Sequence, residues 1–170
     1  MSIDPTRYTW LQLSWTVFTK TLHVAVVLLA ARPMAAQYFS DISSDAPYLA
    51  AANYMYERQI TLGCGVSPLR FCPDQNLARA GMAAFLIRAW SIKIWGSAEA
   101  FKTQSPPSST PYFYDVPDDR AYNPDSFFPY IQKMRDLGIT LGCTTNTYCG
   151  DAFNTQGQIS VFAIRGFRTP

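Results

Sequence analysis

The chain has 170 residues, of which 48% are hydrophobic, 15% aromatic and 15% charged, and its formal net charge is +2. This length suffices for one domain or two small coupled ones, and the hydrophobic content is ordinary for a globular protein, which argues against disorder throughout the chain. Nucleic-acid binding needs clustered Lys and Arg, and the sequence has no basic patch, so we expect no nucleic-acid partner.

The first 36 residues have the pattern of a secretory signal peptide. An apolar run over 21–31 follows Lys20, and small residues close the segment at Ala36. A cationic start, a short apolar run and small residues before a polar one are typical of a cleaved leader. An uncleaved anchor is the competing interpretation, but Lys20 and His23 interrupt any run of about 20 apolar residues. We therefore predict a signal peptide over 1–36 and no membrane span after its cleavage.

Four amphipathic helices are predicted after this segment. Apolar residues recur there at steps of three and four, which is the spacing of one helix face. These helices cover 48–58, 78–92, 126–137 and 158–167. Between the second and third helices, 96–111 is rich in Ser, Thr, Gln and Pro, and this composition predicts a linker.

The four cysteines form two closely spaced pairs. Cys64 and Cys72 flank one loop, and Cys143 and Cys149 flank another. An even number of cysteines in an exported chain predicts disulfides, and pairing within each loop is the simplest connectivity. Zinc is the alternative, but the seven and five intervening residues miss the usual spacing of about two to four. We predict two disulfides, no metal and no cofactor.

Two segments of the chain share one order of residue types. Each has an aromatic residue two positions before an aspartate, then a helix, a Thr-Leu-Gly-Cys stretch, an aromatic-Cys pair and a second helix. The stretches are Phe39-Ser40-Asp41, Thr61-Leu62-Gly63-Cys64 and Phe71-Cys72 in the first segment, and Phe113-Tyr114-Asp115, Thr140-Leu141-Gly142-Cys143 and Tyr148-Cys149 in the second. A period this long predicts two copies of one supersecondary unit, over 37–95 and 112–170.

This order resembles the S-layer homology (SLH) repeat, in the cysteine-bearing variety found in secreted bacterial envelope proteins. The second helix adds to the resemblance through Arg79-Ala80-Gly81-Met82-Ala83-Ala84-Phe85-Leu86-Ile87-Arg88-Ala89. The resemblance covers about 38–167 and depends on the ordered string of motifs. It implies an all-α fold of two helix–loop–helix repeats, each with a loop closed by a disulfide. It also implies a secreted module of the cell surface or cell envelope that binds wall polysaccharide without catalysis. The family typically uses three repeats, and two are visible here.

Arg79 is the main candidate ligand-binding residue. In the family, a Thr-Arg-Ala-Glu-like stretch at this place contacts an acidic wall sugar, and Ala78-Arg79-Ala80-Gly81 retains only its arginine. A guanidinium can hold a carboxylate through two parallel hydrogen bonds, so the resemblance implies an anionic polysaccharide at Arg79. Alternatively, Arg79 pairs with Asp74 or Glu57 and only orients the loop. The matching residue of the second segment is the uncharged Gln156.

Asp41, Asp74 and Tyr48 complete the predicted ligand-binding set. An exposed aromatic face can stack on a sugar ring, although aromatic residues at helical spacing more often lie in the core. For the aspartates, capping a helix or anchoring a loop is the competing interpretation.

Three functional hypotheses follow from these residues. The only histidine, His23, lies in the predicted leader, so a mature enzyme would lack Ser-His, Cys-His and His-metal arrangements, and catalysis is not expected. The favoured hypothesis is non-covalent attachment to an anionic cell-wall polysaccharide. The alternative is a protein–protein or self-assembly module of the envelope whose sugar site has decayed. Because such repeats need neighbours to bury their faces, the partner would be the chain itself or another SLH-bearing protein.

Overall fold

The structure is a computed structural model, and it describes residues 37–169. The predicted signal peptide at 1–36 lies outside these described residues. The elements are helix α1 (Leu49–Glu57), strands β1 (Gly65–Val66) and β2 (Leu69–Arg70), and helices α2 (Arg79–Trp95), α3 (Phe101–Gln104), α4 (Phe128–Asp136) and α5 (Gln156–Arg168). Regular structure is therefore mostly helical, as the sequence predicts. No helix between residues 37 and 169 is long and apolar enough to cross a membrane.

Helices are present at all four predicted positions, and local signals explain where two of their ends differ. Helix α2 continues to Trp95, where Gly96 adopts a φ of 76° and ends it; this left-handed conformation is the usual reason for glycine after a helix. Helix α5 begins at Gln156 because Thr155 and Gln158 form a capping box, in which each side chain accepts the other's backbone N–H. This reciprocal pair satisfies two N–H groups that a helix start leaves open.

The larger hydrophobic core lies around α2 and α4, which pack on each other. Its most buried side chains, each at most 1% exposed, are Ala83, Ile87, Phe101, Phe113, Phe128, Met134, Ile139 and Tyr148. A smaller cluster forms around Phe39, whose ring centroid lies 5.1 Å from that of Phe71 and 5.4 Å from that of Tyr56. The aromatic residues next to the second cysteine of each pair thus pack inward.

The segment 96–111, whose composition predicts a linker, contains α3 and contributes to the larger core. Phe101 is fully buried, and its N–H donates to the Oγ of Ser91 at 3.1 Å. Glu99 accepts a hydrogen bond from Arg88 Nε at 2.9 Å. A few contact-forming side chains among the Ser and Pro residues therefore hold part of this segment against α2.

Both predicted disulfides are present. The Cα atoms of Cys64 and Cys72 are 6.1 Å apart, and those of Cys143 and Cys149 are 6.0 Å apart. The first closes loop 1 (residues 58–78), which contains the β1–β2 hairpin, and the second closes loop 2 (residues 137–155). All four cysteines are oxidised, so they cannot supply the thiolates that the zinc alternative requires.

Candidate functional site

An aspartate near the start of each segment holds the disulfide loop that follows it. The two carboxylate oxygens of Asp41 accept the N–H groups of Phe71 and Cys72, each at 2.8 Å. Asp115 accepts the two N–H groups of residues 148–149 at 2.9 and 2.8 Å. Bonds from backbone N–H groups to a carboxylate are strong, charge-assisted ones. Asp41 therefore anchors loop 1 with both oxygens.

We expect acid to weaken loop 1 through Asp41. Burial alone would raise the pKa of Asp41, but the N–H groups of Phe71 and Cys72, together with the charge of Arg70, hold that pKa below its usual value. A carboxylate with a lowered pKa stabilises the fold above its unfolded-state pKa and loses this contribution as pH falls through the folded-state pKa. The free energy of unfolding should therefore fall as pH drops below about 4.

Urea unfolding at a series of pH values checks this expectation. The Asp41→Asn variant should show a flatter dependence of the unfolding free energy on pH than the unchanged protein. Asp74→Asn is the control, because Asp74 is exposed in the same loop and its replacement leaves the bonds from Phe71 and Cys72 to Asp41 in place. Equal slopes in the unchanged protein and in Asp41→Asn would contradict the anchoring role.

A threonine in each loop fixes the glycine two residues later. Thr61 Oγ1 accepts the N–H of Gly63, and Thr140 Oγ1 accepts the N–H of Gly142, both at 3.1 Å. The glycines have φ values of 82° and 94°, and a Cβ at either would lie 2.5 Å from a backbone oxygen. Only glycine fits this conformation and this space. The Thr-Leu-Gly-Cys stretches thus form the same tight turn in both loops.

Arg79 is buried rather than presented to solvent. The residue is only 5% exposed. Its guanidinium lies 5.0 Å from the ring centroid of Tyr148 and 4.6 Å from that of Phe162. Its Nη2 donates to Thr140 Oγ1 at 3.4 Å and to the Gly142 carbonyl at 3.5 Å. A guanidinium over aromatic faces is stabilised by the ring quadrupoles, more so away from water. We call Thr140, Gly142, Tyr148 and Phe162 the Arg79 pocket.

The backbone at the start of α2 is bound to loop 2 as well. The N–H of Arg79 donates to the carbonyl of Ala152 at 2.8 Å, and the N–H of Ala80 donates to that of Gly150 at 2.9 Å. The N-cap residue of α2 makes no side-chain cap, so loop 2 satisfies these first N–H groups. Burial raises the pKa of Tyr148, and its protonated hydroxyl donates to the Arg79 carbonyl at 2.9 Å.

The predicted ligand-binding residues differ in their exposure to solvent. Asp74 is exposed, and Tyr48 is 42% exposed at the start of α1, whereas Arg79 is enclosed. Neither Asp74 nor Glu57 forms an ion pair with Arg79 among residues 37–169. Glu57 instead accepts a hydrogen bond from the Tyr38 hydroxyl at 3.2 Å. The side-chain contacts of Arg79 thus lie in the second segment.

A groove of 570 Å³ lies beside loop 1, between that loop, α2 and the residues before α4. We call it the loop 1 groove; its lining includes Thr61, Gly63, Phe71, Phe85, Arg88 and Phe127. Phe127 is 44% exposed, and the exposed amides of Gln75 and Asn76 also line the groove. Arg88 is held in the wall, because its Nη2 donates to the Tyr130 hydroxyl at 2.9 Å. Sequence reasoning did not find this groove, whose far wall comes from residues 124–127.

A second groove, of 520 Å³, lies beside loop 2 and is acidic. Asp115, Asp119 and Asp151 line it together with Phe127. Two of these carboxylates already accept hydrogen bonds, Asp115 from loop 2 and Asp119 from the Ser126 hydroxyl. Negative charge repels an anionic sugar, and the loop 1 groove has one lining carboxylate, Asp125, against three here, so the loop 1 groove is the better candidate for such a ligand.

No protein-family model, curated protein or solved structure matches the chain. The candidate site is therefore defined by the geometry of the chain itself. That geometry combines aromatic faces, two amides, one arginine and the carboxylate of Asp125 in the loop 1 groove, beside a turn fixed by Thr61 and the Cys64–Cys72 disulfide.

Proposed function

We propose that the protein is a secreted, non-catalytic attachment module of the bacterial cell envelope that binds an anionic wall polysaccharide. The observation that carries this proposal is the loop 1 groove, whose aromatic faces and amides suit the rings and hydroxyl groups of a sugar chain. The resemblance of the motifs to SLH repeats gives the class of ligand. Two disulfides are typical of exported proteins, which supports the envelope as the location.

We further propose that 37–95 and 112–170 are two SLH-like repeats. Matching contacts support this division, beginning with the aspartate and threonine contacts of the two loops. In addition, Arg88 Nη1 donates to the Ile60 carbonyl at 3.4 Å, and Arg165 Nη1 donates to the Ile139 carbonyl at 3.1 Å. Equivalent side chains thus make equivalent bonds at the corresponding places of both segments.

In this proposal, Arg88 replaces Arg79 as the cation nearest the sugar. Arg79 is enclosed in its pocket at 5% exposure, whereas Arg88 lines the loop 1 groove. The three guanidinium nitrogens of Arg88 bond to Glu99, Ile60 and Tyr130, so its charge acts on the groove from a fixed, ion-paired position. Phe127 offers an exposed ring for stacking, and Gln75 and Asn76 offer amide donors and acceptors.

A retention assay on purified cell-wall glycan tests this function. The oxidised protein should be retained, and the double variant Phe127→Ala/Asn76→Ala should bind at least about tenfold more weakly, which corresponds to ~1.4 kcal/mol. The control is Tyr122→Ala, since Tyr122 is 77% exposed and lines neither groove. No retention of the unchanged protein would refute polysaccharide binding. Equal retention of the double variant would refute the loop 1 groove as the site.

One observation favours the alternative function, a self-assembly module of the envelope. Helix α5 exposes Val161, Ile164 and Phe167, which are 44%, 56% and 80% exposed. A contiguous apolar surface of this kind is typical of protein–protein contacts. In this alternative, the sugar site has been lost and the protein binds other proteins through α5.

A further inference from the structure

Helices α2 and α5 follow equivalent loops, and one bond of each fixes their correspondence. Arg88 of α2 and Arg165 of α5 donate to Ile60 and Ile139, which are the residues before the two equivalent threonines. This register places Arg79, the first residue of α2, opposite Gln156, the first residue of α5.

The face that α2 buries is exposed on α5. Helix α2 buries Ala80, Ala83, Ala84, Ile87, Trp90 and Ser91. The corresponding residues of α5, all exposed, are Gly157, Ser160, Val161, Ile164, Phe167 and Arg168. Four of these six counterparts are apolar residues or glycine, namely Gly157, Val161, Ile164 and Phe167. Helix α5 therefore exposes to solvent the surface that corresponds to the buried surface of α2.

The loop 1 groove is the counterpart of the Arg79 pocket. The four residues that contact the Arg79 side chain correspond to Thr61, Gly63, Phe71 and Phe85, and all four line the groove. In loop 2 this place is filled by the arginine side chain, whereas in loop 1 it is an open space of 570 Å³. The loop 1 groove thus corresponds to the surface of the second segment on which α2 packs, but no helix covers it.

Backbone groups at the start of α5 and in loop 1 also lack the hydrogen bonds that their counterparts make. Loop 2 carbonyls accept the N–H groups of the first two residues of α2. Among residues 37–169, the N–H groups of Gln156 and Gly157 at the start of α5 have no acceptor. The loop 1 residues that correspond to Gly150 and Ala152, whose carbonyls accept these bonds in loop 2, are Pro73 and Gln75, and both line the groove.

We propose that two copies of this chain associate by packing α5 of each copy against loop 1 and its groove in the other, as α2 packs against loop 2 within one copy. The inference rests on the alternative, self-assembly function. Because one chain carries both open halves of the interface, a second copy supplies a matching surface for each. Two such contacts related by a two-fold axis close a dimer.

In the dimer, Gln156 of one copy takes the place of Arg79. Its amide N–H groups can donate to the Thr61 hydroxyl and the Gly63 carbonyl, as the Arg79 guanidinium does to Thr140 and Gly142. Ile164 and Phe167 of α5 leave water, as their counterparts Ile87 and Trp90 do in the larger core.

Sedimentation velocity of the purified, oxidised protein tests the dimer without any glycan. The sedimenting mass should rise from one chain to two between about 1 µM and 1 mM. Ile164→Asp places a charge on the α5 face and should raise the dissociation constant at least about thirtyfold. Gln75→Lys places a positive charge against the N-terminal end of the other copy's α5 and should raise it at least about tenfold. The control Tyr122→Asp should dimerise normally.

The two variants change opposite sides of one contact. In a mixed dimer one contact is intact and the other carries both changes, so a mixture should show a dissociation constant between those of the two variants. All three positions are exposed, and unchanged unfolding curves verify that the variants fold. A single-chain mass at every concentration would overturn the proposal, as would a dimer that Gln75→Lys leaves unchanged. Both proposals place a partner in the loop 1 groove, so the dimer would cover the sugar site. Sedimentation without glycan and retention on glycan report the two proposals separately, and either can fail while the other holds.

Discussion

Replacing Arg79 by alanine should lower the free energy of unfolding by about 3 kcal/mol. The change removes a side chain enclosed between Tyr148 and Phe162 and leaves a cavity beside the Thr140 hydroxyl. Large-to-small substitutions at buried sites lose both the burial of the removed atoms and the contacts of the atoms around them. Urea unfolding with a linear extrapolation measures the difference.

Two further variants identify the cause of this loss. Arg79→Met fills much of the volume without a charge, so it should cost less than Arg79→Ala. Arg58→Ala is the matched control, because the Arg58 guanidinium also lies over a ring, that of Tyr54, but at an exposed position. It should change stability by no more than about 0.5 kcal/mol. A similarly small effect of Arg79→Ala would contradict the enclosed, structural role of Arg79.

Removing the loop 2 disulfide should destabilise the protein more than removing the loop 1 disulfide. In the chain-entropy model, loops of these lengths contribute about 2–3 kcal/mol each, so loop closure alone predicts nearly equal effects of Cys64→Ser/Cys72→Ser and Cys143→Ser/Cys149→Ser. Loop 2 additionally binds the first N–H groups of α2 and encloses Arg79. Removing the loop 2 disulfide should therefore lower the free energy of unfolding by about 1 kcal/mol more than removing the loop 1 disulfide, because the bonds at the start of α2 are weakened as well.

The two double variants should be compared by urea unfolding under identical conditions, with the amplitude of the helical circular dichroism signal recorded as well. We expect the lower midpoint and the larger loss of helical signal in Cys143→Ser/Cys149→Ser. Equal midpoints would show that loop 2 does not support α2 in solution. Reversed midpoints would contradict the same coupling and assign the greater structural role to loop 1.

Local patterns were sufficient to predict the helices and the disulfides. The three- and four-residue spacing of apolar side chains locates α1, α2, α4 and α5, and close cysteine spacing gives the pairing. The predicted ends of helices were less accurate where a cap or a tertiary contact sets them. The capping box at Thr155 starts α5 at Gln156, whereas the apolar pattern predicts a start at 158. Helix propensity and apolar periodicity depend only on the residues of one segment, so they do not predict a helix end that contacts with another segment determine.

The partners of Arg79 could not be predicted from neighbouring residues. Its expected partners, Asp74 and Glu57, are near in sequence, but its hydrogen-bond partner Thr140 is 61 positions away. Likewise, the loop 1 groove joins loop 1 to residues 124–127. The internal similarity of the two segments contained a usable signal, because Gln156 and Arg79 differ at equivalent positions. Only the structure shows that one of these positions is covered and the other open.

The bonds between loop 2 and the start of α2 have a consequence for the cooperativity of the fold. Helix α2 belongs by sequence to the first segment, but Ala152 and Gly150 of the second segment complete its first turn. Opening loop 2 would therefore fray a helix that carries Ile87 in the middle of the larger core. We therefore expect the two segments to unfold in one transition, with a substitution in residues 137–155 lowering the stability of residues 79–95 as well. The boundary between the two similar segments would then not be a boundary between thermodynamic units.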